Sequence, residues 1–319
     1  MQVLLANPRG FCAGVVRAID IVEHALKLYG PPVYVRHEIV HNKYVISDLK
    51  ARGVIFVDQL HQIPDSAVAV LSAHGVAKSV NEEIQRRGLQ VIDATCPLVT
   101  KVHRRVEKLC LADYEVVVIG QAGHPEVLGT MGQVRKHNNW RVHLVEKESD
   151  INTLNIRNAD KLGFVTQTTL SVDETREIIV ALRKRYPGIV APASDDICYA
   201  SQNRQDAVKA LVRECEMILV VGSRASSNSN SLKLLAEKSG KPTYLIDGAQ
   251  DIDSHWLDGL NRIGVTAGAS APDELIDSVI KRLKQEGATE VCELQGIKEN
   301  VHFRRPKFPQ INMQLVMEK

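Results

Sequence analysis

Short runs of consecutive apolar residues alternate along this chain with segments whose apolar positions recur every three or four residues. The runs at 33–36, 68–72, 90–93, 115–120, 162–166, 217–222, 243–247 and 263–266 have no polar-out alternation. They predict strands covered on both faces, as in parallel sheets with helices between the strands. Between them, residues 15–29 place Val15, Ala18, Ile19, Val22, Ala25, Leu26 and Tyr29 on one face of a helix. Residues 98–111 do the same with Val99, Val102, Val106, Leu109 and Cys110, and residues 204–215 with Val208, Leu211, Val212 and Cys215; this is the 3.6-residue period. The fold class is therefore α/β. Each of the three helical patterns follows a cysteine in a turn: Cys12, Cys96 and Cys198.

The phase continues downstream of each cysteine. About 28 to 30 residues on stand His41 and Asn42, His124 and Glu126, and Ser226, Ser227 and Asn228. Later in each third a further strand ends in a small polar turn, carrying His74, Thr168 and Ser270. A fixed spacing of this kind marks repeated supersecondary units. It predicts three α/β modules, 1–95, 96–195 and 196–286, related by approximate threefold symmetry. The N-terminal strand at 3–6 is expected in the third module's sheet, and 287–319, poor in periodicity, as an extended C-terminal arm.

Composition narrows the function. With 319 residues and 44% apolar content the chain is an ordinary globular protein. A net charge of +2 gives no electrostatic footprint for nucleic acid or a membrane surface, and the longest apolar runs are too short to span a bilayer. The N-terminus lacks a basic start followed by a long apolar stretch, so it does not read as a secretory signal. The expected location is the cytoplasm, where six cysteines serve as ligands, nucleophiles or core filler rather than disulfides.

Cys110 and Cys215 sit on apolar helix faces and read as core; Cys292 reads as structural too. Cys12, Cys96 and Cys198 instead stand among turn residues at helix starts, where free N–H groups and the helix dipole are expected to favour a thiolate. Three thiolates with no CxxC spacing do not match a closed structural zinc site. They suit an iron–sulfur cluster with one iron left without a protein ligand; a three-cysteine zinc site or a catalytic cysteine fits the spacing as well. Around them, histidines, hydroxyls and amides ahead of helical segments suit a small phosphate or diphosphate compound. Neither a Walker loop nor a GxGxxG turn is present. Glu126 breaks the pattern: two modules carry Asn at its position, and only the carboxyl can deliver a proton. Buried beside an anion it should hold a raised pKa, which makes it the candidate general acid, with Thr168 as relay.

The segments NPRGFCAGV, HEIVHNKYV, SAHGV, DATCPLVTKVH, GHPEVLGTMGQ, TQTTLSVDET, DDICYASQNRQ, GSRASSNSNSL and TAGASAPDELI, in this order, resemble the LytB/IspH family of isoprenoid-pathway diphosphate reductases up to about residue 285. The resemblance implies a trefoil of three pseudo-threefold-related α/β domains around a central 4Fe–4S cluster (3Fe–4S after oxidation). It implies Cys12, Cys96 and Cys198 as cluster ligands. His41, His74, His124, Thr168, Ser226, Ser227, Asn228 and Ser270 would hold the diphosphate substrate, with Glu126 the proton source and Thr168 beside it. It further implies two-electron removal of an allylic hydroxyl from 4-hydroxy-3-methylbut-2-enyl diphosphate, the last step of the non-mevalonate route. A flavodoxin or ferredoxin would be the electron donor; apart from the resemblance, a monomer is the default expectation. Val16 departs from the acidic residue many members carry there. Set aside the resemblance, and two rivals stand: a zinc- or thiol-dependent phosphoester hydrolase, and an iron–sulfur sensor.

Overall fold

The computed structural model describes residues 1–134 and 141–309. The elements alternate as the apolar pattern requires. The first stretch runs β1 (Gln2–Leu5), α1 (Ala13–Tyr29), β2 (Val33–Arg36), α2 (Lys43–Ala51), β3 (Val54–Val57), β4 (Val68–Leu71), α3 (Lys78–Arg87) and β5 (Gln90–Asp93). The second runs α4 (Pro97–Leu111), β6 (Glu115–Ile119), α5 (Pro125–Met131), β7 (Val142–Val145), β8 (Leu162–Thr166) and α6 (Val172–Arg185). The third runs α7 (Tyr199–Glu214), β9 (Met217–Val221), α8 (Ser227–Lys238), β10 (Thr243–Ile246), β11 (Arg262–Ala267), α9 (Asp273–Gln285) and β12 (Glu290–Glu293).

The strands form three small, wholly parallel sheets in the orders β3-β2-β4-β5, β7-β6-β8 and β10-β9-β11-β1-β12. β6, β8 and β9 are buried along their whole length, the mark of strands with helices on both faces. Val3 pairs with Ile263 and with Val291, so the N-terminal strand lies between β11 and β12 and is held by chain some 260 residues away. Cys110 and Cys215 are core, at 1% and 2% exposure, and join the apolar clusters around Val118 and Val220.

Two details differ from the pattern reading. Three strands lie outside the expected runs: β7 and β12, whose VHLV and EVCE are interrupted by polar residues, and β3, although its VIFV is apolar throughout. All three are sheet edges, where one side meets solvent and, as β7 and β12 show, the sequence need not be apolar throughout. β12 also falls within the segment expected to be a featureless arm; only 294–309 is without regular structure, and 310–319 lies outside the described residues. No helix among the described residues is long and apolar enough to cross a membrane.

Candidate active site

The nine helices among the described residues present their N-termini in three sets. Cys12, Cys96 and Cys198 are the N-cap residues of α1, α4 and α7. Asn42, His124 and Ser226 cap α2, α5 and α8, Asn42 through its amide oxygen on the Val45 N–H and Ser226 through its hydroxyl on the Ser229 N–H. The turns that lead into α3, α6 and α9 carry His74, Thr168 and Ser270. One cavity, about 770 Å³ and partly open to solvent, is lined by the three cysteines, His41, His74, His124, Glu126, Thr168, Ser226, Ser227, Asn228 and Ser270 together. Partial positive charge and unpaired N–H groups at so many helix starts favour an anion there.

The histidines form a cluster. The rings of His41 and His74 stack with centroids 4.3 Å apart, and His124 meets both edge-on at 5.4 and 5.6 Å. His41 Nδ1 lies 2.8 Å from Glu38 Oε2, while its Nε2 is buried without a partner. His124 Nδ1 accepts the Glu126 N–H at 3.1 Å, so its proton sits on Nε2. Burial first, then the neighbouring His41, pulls His124 down to about 4 and His74 well below its ordinary value. These two rings are neutral, and an arriving anion would reverse that preference.

Glu126 is 3% exposed. The Thr168 N–H donates to Oε1 at 2.6 Å, and the Thr168 hydroxyl lies 3.0 Å from Oε2. These two bonds favour the carboxylate, yet desolvation wins and pushes Glu126 up to about 7, with help from the charge of Asp196. Asn228 Oδ1 accepts the Ala269 N–H at 2.8 Å, and the Ser270 hydroxyl donates to the His41 carbonyl at 2.9 Å. The first bond ties α8 to the turn before α9, and the second ties that turn to the chain just ahead of α2.

The cysteine turns correct one expectation. A helix start was expected to lower the thiols, but burial pushes Cys96 up to about 12 and Cys198 up to about 11. The N–H groups of Leu98 and Val99 at Cys96, and of Ser201 at Cys198 (3.3 Å to Sγ), recover only part of that. Neighbouring thiols raise both further. A cationic guest is what would ionise these sulfurs, releasing their protons as it binds.

Donor type and spacing test that guest. A Cβ built on Gly14 would meet Cys96 Sγ at 2.8 Å and Cys12 Sγ at 3.8 Å, so both sulfurs converge over one glycine, with Cys198 on the same cavity. Among the described residues no three His, Cys, Asp or Glu side chains approach closely enough to share a single metal ion. Thiolates spread over a glycine-floored hollow fit a body larger than one ion, in which each sulfur grips a different metal atom.

The sequence reading missed several contributors. Ser201 bonds Cys198 Sγ through its N–H and its hydroxyl, Gln167 reaches the Ser227 hydroxyl at 3.2 Å, Glu38 backs His41, and Phe303 of the C-terminal segment lines the cavity. Ser201 is readable as three residues past a cap. Phe303 had no periodic signal at all.

A sequence model described as LytB protein matches residues 3–284. The 4-hydroxy-3-methylbut-2-enyl diphosphate reductases of Azotobacter vinelandii and Pseudomonas entomophila are 57% and 58% identical to this chain over 307 residues, 96% of it and 98% of each relative. The solved structure of the E-1-hydroxy-2-methyl-but-2-enyl-4-diphosphate reductase from Plasmodium falciparum superposes with a TM-score of 0.90 at 37% identity, covering 100% of this chain and 98% of the other. A second solved structure, an (E)-4-hydroxy-3-methyl-but-2-enyl diphosphate reductase described as the terminal enzyme of the non-mevalonate pathway, gives 0.63 at 33% identity, covering 89% and 99%.

Proposed function

The chain belongs to the LytB family, and on that premise we propose that it reduces 4-hydroxy-3-methylbut-2-enyl diphosphate to isopentenyl and dimethylallyl diphosphate. The allylic C–O bond breaks, two electrons and two protons enter, and water leaves. The observation that carries the reading is the shared cavity, which the three cysteines line together with a buried neutral acid and an anion-suited ring of helix starts.

A 4Fe–4S cluster on Cys12, Cys96 and Cys198, with one iron free of protein ligands, would supply the electrons and a Lewis-acid corner; oxidation would strip it to 3Fe–4S. The chain's own residues do the rest. His124 Nε2–H faces the anion as a donor, because its Nδ1 is already engaged. His41, with Glu38 on its Nδ1, offers its unpartnered Nε2 to the diphosphate. Ser226, Ser227 and Asn228 add hydroxyl and amide donors at the third module's helix starts, and Ser270 borders the same anion site with its hydroxyl holding the His41 carbonyl. Anchoring the diphosphate there fixes which carbon faces the cysteines.

The proton path follows from the hydrogen bonds. Thr168 N–H holds Glu126 Oε1, so the proton of the neutral acid rests on Oε2. From Oε2 it donates to the Thr168 hydroxyl oxygen, whose own hydrogen then turns into the cavity toward the departing hydroxyl. The apolar lining of Val15, Val40, Leu98 and Val99 limits water, which strengthens each of these interactions.

On the same reading the modules are 1–95, 96–195 and 196–286 with the arm at 287–319. The enzyme works as a cytoplasmic monomer, and a flavodoxin or ferredoxin feeds it electrons one at a time. The test is anaerobic turnover of the hydroxylated diphosphate with a reduced viologen, products read by mass spectrometry. Formation of the two C5 diphosphates, lost in Glu126→Gln, supports the proposal. Hydrolysis to free phosphate, independent of reductant, contradicts it.

A further inference from the structure

Two arginines reach the backbone immediately ahead of two of the cysteines, and both are tied to the C-terminal arm. Arg204, in the second turn of α7, is 1% exposed. Its Nε and Nη2 donate to the Gly10 carbonyl at 3.0 and 2.8 Å, and Nη2 to the Phe11 carbonyl at 3.2 Å. These are the two carbonyls before Cys12. Nη1 takes the Ala200 carbonyl at 2.9 Å and, with Nη2, the Glu299 carboxylate at 3.1 to 3.3 Å. Asn203 holds the same carboxylate at 2.9 Å.

Arg17, in the second turn of α1, repeats the arrangement. Its Nη1 donates to the Ala94 and Thr95 carbonyls at 3.2 and 3.0 Å, the two carbonyls before Cys96, and its Nε donates to the Arg304 carbonyl at 2.8 Å. The arm that supplies Glu299 and Arg304 places Phe303 against the cavity itself. It is then fastened further along by Arg305 on Asp20, by the Tyr29 hydroxyl on the Pro309 carbonyl at 2.7 Å, and by Phe308 edge-on to His24. Cys198 has no link to the arm among the described residues: its turn is held by its N–H on the Thr168 carbonyl at 2.9 Å, by the Ser201 N–H on its Sγ at 3.3 Å, and by Lys101, in the second turn of α4, on the Asp195 carbonyl at 3.4 Å.

We infer that the C-terminal arm sets the position of two of the three cysteines, with Glu299 acting through Arg204 on the Cys12 turn and the Arg304 carbonyl acting through Arg17 on the Cys96 turn. Glu299, Arg204 and Arg17 are positioning residues in this scheme; none needs to touch the cofactor or substrate. The physics favours a strong effect at Arg204. A buried guanidinium that loses its carboxylate is left uncompensated, and the plane that matches two carbonyls and a carboxylate at once has no other partner to settle on. This inference rests on the reading that the cysteines hold one cluster, and it makes Cys198 a built-in control.

The experiment compares alkylation rates of the three cysteines by a small iodoacetamide probe, read by peptide mass spectrometry, in the full-length chain without cofactor. Glu299→Gln, which keeps the shape and removes the charge, should speed alkylation at Cys12 about tenfold or more while leaving Cys198 unchanged, as expected from losing charge-assisted bonds in a buried site. Glu299→Asp should restore part of the protection. Arg17→Met should speed Cys96 instead. Backbone amide exchange of residues 10–12 and 94–96 on the same samples gives a second reading without any thiol chemistry. No acceleration, or equal acceleration at all three cysteines, overturns the inference. Iron and sulfide uptake by the unsubstituted chain is scored separately; its failure would remove the cluster reading and would not mimic either result.

Discussion

Glu126 shows how one buried carboxyl governs both chemistry and stability. Its ionisation moves from 4.5 up to about 7 because burial outweighs the two Thr168 bonds. The neutral acid is therefore available at neutral pH, and turnover should fall as pH rises through about 7, a limb visible in kcat profiles and moved to higher pH by the bound diphosphate's negative charge. The stability consequence has the opposite sense to a salt-bridged acid. The native state holds the proton more tightly than the unfolded chain, so stability is full below the unfolded value and is lost between about 4.5 and 7. Glu126→Gln should remove this loss and make the cofactor-free chain more stable above pH 7, by an amount on the order of 3 kcal/mol, measurable by urea unfolding at pH 5 and pH 8; equal stabilities at pH 8 would place the carboxylate in water. Glu126 was readable from its asymmetry with Asn42 and Asn228. The Cys96 and Cys198 thiols were misread for the same physical reason that makes Glu126 useful: one or two N–H groups at a helix start do not repay the loss of water, and a sequence shows the cap but not the depth.

The helices explain why so much of the site could be found from spacing. A parallel strand followed by a helix puts the connecting turn at one sheet edge every time. Residues at a fixed distance from each cysteine therefore land on equivalent helix starts, and α1, α4 and α7 deliver sulfur while α2 and α5 deliver imidazole and α8 hydroxyl. What spacing could not reveal lies at edges and in irregular chain. β7 and β12 have one neighbour each and no continuous apolar run, and residues 294–309 contribute Phe303 and Glu299 without periodicity. The first turn of α1 offers a sharp test. By helix propensity alone, Gly14→Ala should stabilise by up to about 1 kcal/mol. The added methyl would meet Cys96 Sγ at 2.8 Å and push that sulfur from its place. The expected result is an unchanged or slightly raised melting temperature without cofactor together with clearly reduced iron uptake; normal uptake would mean that the sulfurs need not meet over this glycine.

Across the whole molecule, the three sheets carry separate apolar clusters, while the site draws on all three at once. A ligand that binds only when the three cysteine turns face each other stabilises their arrangement by mass action. Removing it with a chelator under reducing conditions should lower the melting temperature by several degrees and speed backbone exchange around residues 10–14, 94–98 and 196–200 together; protection lost at one turn alone would argue against a shared guest. The chain ends take part in the same arrangement, since β1 sits inside the third sheet and the arm that follows β12 passes the cavity. The account stands or falls on the three sulfurs sharing one cluster. The most direct measurement is Mössbauer spectroscopy of the anaerobic protein loaded with ⁵⁷Fe, combined with sulfide analysis, before and after addition of the hydroxylated diphosphate. The prediction is four irons and four sulfides per chain, with one iron in four changing its signal when the diphosphate is added, and loss of the cluster on Cys→Ser at position 12, 96 or 198. A single iron or zinc per chain, or a full cluster surviving all three substitutions, would contradict it.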